Sequence, residues 1–171
     1  MINLDVFKAY DVRGIAGNEI TPELCTQVGR GLGDLLPEGV VAVGYDMRPQ
    51  SQEYAQLLMR GLVIQGREVW DLGLIPTDMI YFAASKYNVA GGAVVTASHN
   101  PGQYNGIKVV GVEINELRDV VESGNFTEVS QAGKVESKDL KAAWVEHALS
   151  FVDARSWPEY NVAIDASNGM A

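Results

Sequence analysis

The 171-residue sequence predicts a three-layer α/β/α domain with a mixed, mainly parallel sheet, followed by the first strand of a truncated second α/β domain. Three observations carry this prediction. Helix-period and strand-like segments alternate from Ile20 to Val110, which is the pattern of a layered α/β domain. The run "GVVAVGYD" is short, β-branched and uninterrupted by polar residues, as a strand buried on both faces should be. Apolar residues make up 47% of the chain and charged ones 20%, so a chain of this length can bury a real core.

The first helix is expected in "ITPELCTQVGRGLGDLLPEG", with Thr21 as N-cap and Pro22 at the first helical position. Leu24, Val28, Leu32 and Leu35/Leu36 then recur at helical spacing. The glycines of "GRGLGDLL" fall inside this helical pattern and follow no strand, so they do not make a dinucleotide-binding loop. After the "GVVAVGYD" strand, "SQEYAQLLMRGLVIQG" reads as a second helix, capped by Ser51 and closed near Gly66. "REVWDLG" reads as a strand, "PTDMIYFAASKYN" as a third helix, "AGGAVVTA" as a strand, and "NGIKVV" as another after a loop. Beyond Val110, "INELRDVVESGNF" and "SKDLKAAWVEHALSFVD" are amphipathic helices separated by the polar "TEVSQAGKVE". "ARSWPEY" reads as a linker and "NVAIDASNGMA" as a new strand running into a small-residue turn. The expected division is one domain over residues 1–153, with 154–171 as linker and the start of a second domain.

Bulk properties narrow the function. A formal net charge of −9 disfavours nucleic-acid binding, and any anionic substrate then needs a local cluster of cations. Cys25 is the only cysteine, so neither a disulfide framework nor a thiolate zinc site is expected, which fits a reducing compartment. "MINLDVFKAYDVRG" lacks the apolar stretch of a signal peptide, and no run approaches the ~20 apolar residues of a membrane span. The expected setting is cytoplasmic, without a membrane partner, so the "NFT" sequon at residues 125–127 has no use. His147 sits on an amphipathic helix and reads as structural.

In sheets of this class ligands bind at the carboxyl ends of the strands, so "YDMRPQS", "DLGLIPT" and "TASHNPGQYNG" are the candidate loops. The last places Ser98, His99 and, a little later, Lys108 together. A serine hydrolase is a poor reading, because the G-x-S-x-G elbow is absent and adjacent side chains on an extended loop point apart, leaving His99 badly placed as a base for Ser98. Asn100-Pro101-Gly102 and Asn105-Gly106 form turns. Turns alone do not explain the grouping of hydroxyl, imidazole and amine.

"TASHNPGQYNGIK" resembles the active-serine loop of the α-D-phosphohexomutases, the phosphomannomutase/phosphoglucomutase family. "FKAYDVRG" is similar to the family's N-terminal motif, "VGYDMRPQS" to its G-x-D-x-R-x-x-S segment, and "VAIDASNGMA" to the opening of its second domain, all in the family's order. The resemblance implies that Ser98 is carried as phosphoserine and gives its phosphoryl group to a sugar-phosphate hydroxyl. A hexose 1,6-bisphosphate then turns over in the site as intermediate and activator. It further implies Lys108 as general acid/base, His99 as an auxiliary at the phosphate, and Arg13 with Tyr10 in the active-site cleft. Arg13 suits phosphate because its planar fork is always charged; an Asp11–Arg13 surface pair is the ordinary alternative. Asn100 is expected to bind substrate, and Asp46 and Arg48 to fix the loop by hydrogen bonds. Mg²⁺ is implied in the full-length enzyme, held by one oxygen of the Ser98 phosphate and three aspartates of a loop that this chain lacks. The implied partners are a phosphosugar and the remaining domains of a parent chain, and the isolated chain is expected to be inactive. The segment "IKVVGVEINELRD" has fewer residues between strand and helix than the family usually has, so whether residues are missing near Gly111–Glu113 stays open and no detailed placement is read there. Phosphoglucosamine mutase is the rival within the family, and a non-catalytic phosphosugar-binding paralogue the rival outside it.

Overall fold

The computed structural model describes residues 2–166 together with Gly169 and Met170. One sheet organises them, in the order β1 (Val12–Ile15), β5 (Tyr104–Val110), β4 (Gly91–Val95), β2 (Val41–Tyr45), β3 (Glu68–Leu74), β6 (Lys134–Ser137). Strands β4, β2, β3 and β6 pair in parallel, whereas β5 runs antiparallel to both of its neighbours. The sheet is therefore mixed and mainly parallel, as expected.

Strand periodicity sorts side chains onto two cores. Val41 and Val43 of β2, with Ala93 and Val95 of β4, face a core shared with helices α1 (Pro22–Leu35), α2 (Ser51–Ile64) and α4 (Ile114–Ser123). Ala42 and Val94, the residues between them, face the opposite core with α3 (Asp78–Lys86) and the Leu140–Trp144 start of α5 (Lys141–Leu149). Helices cover both faces, which completes the three layers.

Local chemistry sets the helix ends and crossings. Thr21 Oγ1 accepts the Leu24 N–H at 3.2 Å, with Pro22 at the start of α1. The glycines of "GRGLGDLL" serve packing: a Cβ on Gly29 would stand 2.9 Å from the Leu58 carbonyl carbon and 3.1 Å from Gly61 Cα on α2. Ser51 does not cap α2. Gln50 occupies that position without a side-chain bond, while the buried Ser51 hydroxyl donates to Asp46 at 2.6 Å.

Two strands escape the sequence reading. β1 starts inside "YDVRG", ends at Ile15 and forms because β5 supplies a pairing edge. β6 runs from the end of the polar "TEVSQAGKVE" segment into Ser137, the first residue of the segment read as a helix, with all four residues exposed at the sheet's outer edge. The strand expected in "NVAIDASNGMA" does not form over the described residues 161–166, where Val162 and Ile164 are exposed. The small-residue turn expected around Ser167 and Asn168 lies outside the described residues. Between β5 and α4, Gly111 at φ +100° makes the turn, with Glu113 as the residue before the helix. A direct three-residue connection therefore spans Gly111–Glu113. Among the described residues no helix is long and apolar enough to cross a membrane.

Candidate active site

The site forms where β2 and β4 end, as the carboxyl-end rule requires. The loop from Thr96 to Gln103 leaves β4 and returns as β5. Thr96 anchors its start: the backbone N–H donates to the Gly106 carbonyl at 2.9 Å, and Oγ1 donates to Asp46 Oδ2 at 2.7 Å. The same Oγ1 accepts the Ser98 N–H at 2.9 Å. Ser98 sits at φ +54°, in the left-handed region that non-glycine residues rarely occupy. Its side chain is exposed at the loop's crest.

Arg48 holds the loop in this shape. Its Nη1 donates to the Pro101 and Tyr104 carbonyls at 2.9 Å each, and its Nη2 to the Ser98 and Asn100 carbonyls at 2.8 and 2.7 Å. Its Nε lies 3.3 Å from Asp46 Oδ2. Asp46 in turn accepts the Arg48 N–H at 3.0 Å and the Ser51 hydroxyl at 2.6 Å. Asn105, fully buried, donates its amide to Ser51 Oγ at 3.0 Å and accepts the Gly106 N–H at 2.8 Å. These side chains behind the serine thus partner one another, and the Ser98, Asn100 and Pro101 carbonyls turn onto Arg48.

On the neighbouring strands a second cluster forms. Arg13 of β1 pairs with Gly106 of β5, and Lys108 lies two residues further along β5, on the same face of the sheet. Asp11 completes the group: its Oδ2 makes an ion pair with Arg13 Nη2 and lies 3.4 Å from Lys108 Nζ. The expected alternative, an Asp11–Arg13 pair, is present, but its carboxylate is buried rather than at the surface, Asp11 being only 6% exposed.

The other expected residues fall as follows. His99 is exposed with Nδ1 3.3 Å from Ser98 Oγ, the donor depending on the imidazole tautomer. The two side chains converge where an extended loop would splay them, because Ser98 is left-handed. Asn100 donates its amide to the Ala97 carbonyl at 2.9 Å, which closes the loop's own turn. Tyr10, next to buried Asp11, projects outward at 87% exposure. Of the three candidate loops, "DLGLIPT" supplies packing: Ile75 is buried and donates its N–H to the Tyr45 carbonyl at 3.0 Å. Cys25 stays buried in α1, where burial first and Glu53 second push its thiol up to about 12, so it remains neutral and unreactive at ordinary pH.

Sequence reasoning passed over Thr96, Ser51 and Asn105 as parts of this network and gave Asp11 only a bland role. Thr96 closes a side-chain-to-backbone turn onto Ser98, a role that only the folded loop shows. No group of three or more His, Cys, Asp or Glu among the described residues is arranged to hold a metal ion. With one serine oxygen and no acidic set beside it, these residues do not make a Mg²⁺ site by themselves.

Comparison with known proteins follows the same lines. A family model described as "Phosphoglucomutase/phosphomannomutase, alpha/beta/alpha domain I" matches residues 4–123. A Xanthomonas campestris protein named "Phosphohexose mutases" is 35% identical over 179 residues, covering 99% of this chain and 40% of its own length. A Pyrococcus horikoshii protein named "Probable phosphoglucosamine mutase" is 36% identical over 173 residues, covering 95% of this chain and 38% of its own. The crystal structure of a phosphoglucomutase/phosphomannomutase family protein from Burkholderia thailandensis superposes with a TM-score of 0.80 at 31% identity, covering 88% of this chain and 36% of that one. The chain thus spans about 40% of the length of the curated relatives it matches.

Proposed function

The chain belongs to the phosphoglucomutase/phosphomannomutase family, and from that premise we propose that it is the phosphoserine-bearing first domain, residues 1–153, of a hexose phosphomutase. The reaction would interconvert hexose 1-phosphate and hexose 6-phosphate, of mannose, glucose or both, through a hexose 1,6-bisphosphate. One observation carries this reading: the loop turns its carbonyls onto Arg48 and leaves the Ser98 hydroxyl exposed at a left-handed crest, open to in-line approach. Such a crest suits phosphoryl transfer, which depends mainly on positioning and charge.

In the forward half-reaction a sugar hydroxyl attacks the phosphorus of phosphorylated Ser98. The new sugar O–P bond forms as the serine O–P bond breaks. The hydroxyl proton passes to His99, or to Lys108 in its neutral amine form, which thereby gains its positive charge; the serine oxygen takes a proton from the same group and is left as an alcohol. The reverse transfer, from the other position of the bisphosphate, regenerates phosphoserine. Arg13 and Lys108 supply positive charge against the transferring oxygens in a chain whose overall charge is negative. Mg²⁺ would supply Lewis-acid stabilisation, with ligands from the parent chain in addition to the Ser98 phosphate. The setting proposed is the cytoplasm, with a phosphosugar and the remaining domains as partners.

Intact-mass spectrometry with phosphopeptide mapping tests the reading. The full-length protein from cells should carry one phosphate on Ser98, and Ser98→Ala should lower mutase turnover at least about a thousandfold. No phosphate on Ser98 after incubation with a hexose 1,6-bisphosphate, together with undiminished turnover by Ser98→Ala, would sink it in favour of a binding module. A second reading, phosphoglucosamine mutase, is favoured by the likeness to the Pyrococcus horikoshii protein. Turnover of glucosamine phosphate in preference to mannose and glucose phosphates would decide for it.

A further inference from the structure

Between the two cations of the proposed transfer site lies a carboxylate to which no role has been given. We propose that Asp11 is a positioning residue that fixes Arg13 and Lys108 for phosphoryl transfer, an inference that rests on the mutase reading above.

The geometry singles out this residue. Asp11 is 6% exposed, and a buried carboxylate persists only when paired. Its partners come from two different strands, Arg13 from β1 and Lys108 from β5, and both meet the same oxygen, Oδ2. Two cations this close repel one another. A shared anion removes that repulsion and defines where each sits. Register also contributes: β1 and β5 are antiparallel, with Arg13 opposite Gly106, so no side chain stands between the Arg13 and Lys108 stems on that face.

The two contacts are unequal, which suits different roles. Arg13 makes the tight ion pair, whereas Lys108 lies at 3.4 Å, longer than the 2.7–2.9 Å typical of charge-assisted hydrogen bonds. Arg13 is thereby locked and Lys108 tethered, free to turn its ammonium toward an arriving oxygen without leaving the cluster. Arg13 also keeps a donor in reserve: its Nε is buried and has no acceptor among the described residues. A buried donor without a partner calls for an explanation, and an oxygen of a bound phosphosugar would provide one. Asp11 itself is held by its backbone, whose carbonyl accepts the Lys8 N–H at 2.8 Å. The carboxylate is therefore a fixed point on which both cations depend.

The test compares Asp11→Asn, Asp11→Glu and Ser98→Ala in the full-length protein. Readouts are kcat and KM for hexose 1-phosphate, Ser98 phosphate by intact mass, and the urea midpoint. Asp11→Asn should lower kcat at least about tenfold with KM within about threefold, and Asp11→Glu should restore most of the loss. Wild-type kcat in Asp11→Asn, or equal loss in both variants, would overturn the inference. If Asp11→Asn does not fold, Asp11→Glu decides alone: kcat above about a tenth of wild type supports the inference, and a lower value overturns it. Undiminished activity in Ser98→Ala would instead remove the mutase reading, so the two failures are distinguishable.

Discussion

Arg48 has five N–H donors; its two Nη atoms donate to the carbonyls of Ser98, Asn100, Pro101 and Tyr104, and its Nε forms an ion pair with the carboxylate of Asp46. Three of those carbonyls belong to a loop with no regular structure of its own, and the fourth, that of Tyr104, opens β5, so the guanidinium does in the loop what a strand ladder does elsewhere. A lysine keeps the charge but loses the planar fork and two of the donors. Arg48→Lys should therefore lower the urea-unfolding free energy by about 2–3 kcal/mol and reduce the Ser98 phosphate found by intact mass. An unchanged midpoint with full phosphorylation would show that the loop holds its shape without the fork. At this scale the sequence singled out by residue type in a motif the side chains that the fold gathers around the serine loop, Ser98, Arg13, Lys108, Asp46 and Arg48, and the loop-holding bonds expected of the last two are present. Asp11 was not singled out, because its burial depends on pairing with Lys108, 97 positions away. Thr96 and Ser51 were hidden for the same reason, since both bond to Asp46, 50 and 5 positions away, and only the fold shows which side chains converge on that carboxylate.

Among elements, the contact of α1 with α2 sets how tightly one face of the sheet is covered. Gly29 on α1 and Gly61 on α2 let the two backbones approach without intervening side chains. A methyl on Gly29 would meet the Leu58 carbonyl group, which has no rotamer to move aside. Alanine is the better helix former by about 1 kcal/mol, but overpacking against backbone costs about 1–3 kcal/mol and forces the helices apart. Gly29→Ala is thus expected to destabilise the domain by about 1–2 kcal/mol in urea, and a stabilised variant would mean that the helices separate freely. The helices and central strands were readable because each carries its own signal, a cap and a 3.6-residue period or an unbroken apolar run. β1 and β6 were not, because "VRGI" and "KVES" have no local strand pattern and form only where a neighbouring edge offers hydrogen bonds. The converse concerns residues 161–166, where apolar spacing suggested a strand and none forms among the described residues.

At the scale of the molecule, the sheet gathers scarce positive charge at one end. Only 13 Lys and Arg residues stand against 22 Asp and Glu, yet Arg13, Arg48 and Lys108 all lie where β1, β2, β4 and β5 bring the serine loop to the surface. Asp11 and Asp46 offset part of that charge, so the remaining attraction for an anionic sugar phosphate is local and modest. This is one wall of a site. The Ser98 crest and His99 are exposed, Tyr10 is uncovered, and no acidic set for a divalent cation is assembled among the described residues. Water therefore reaches the place where phosphoryl transfer would occur, which weakens every electrostatic contact there. On the proposed reading, the 171-residue chain alone should turn over hexose 1-phosphate at least about a thousandfold more slowly than the full-length protein, since it lacks both metal stabilisation and an enclosed cleft. The comparison needs a coupled assay on both proteins at equal concentration, with circular dichroism confirming that the shorter one is folded. Comparable rates would mean that the wall formed by these three cations is sufficient, and that the rest of the parent chain adds specificity without adding rate.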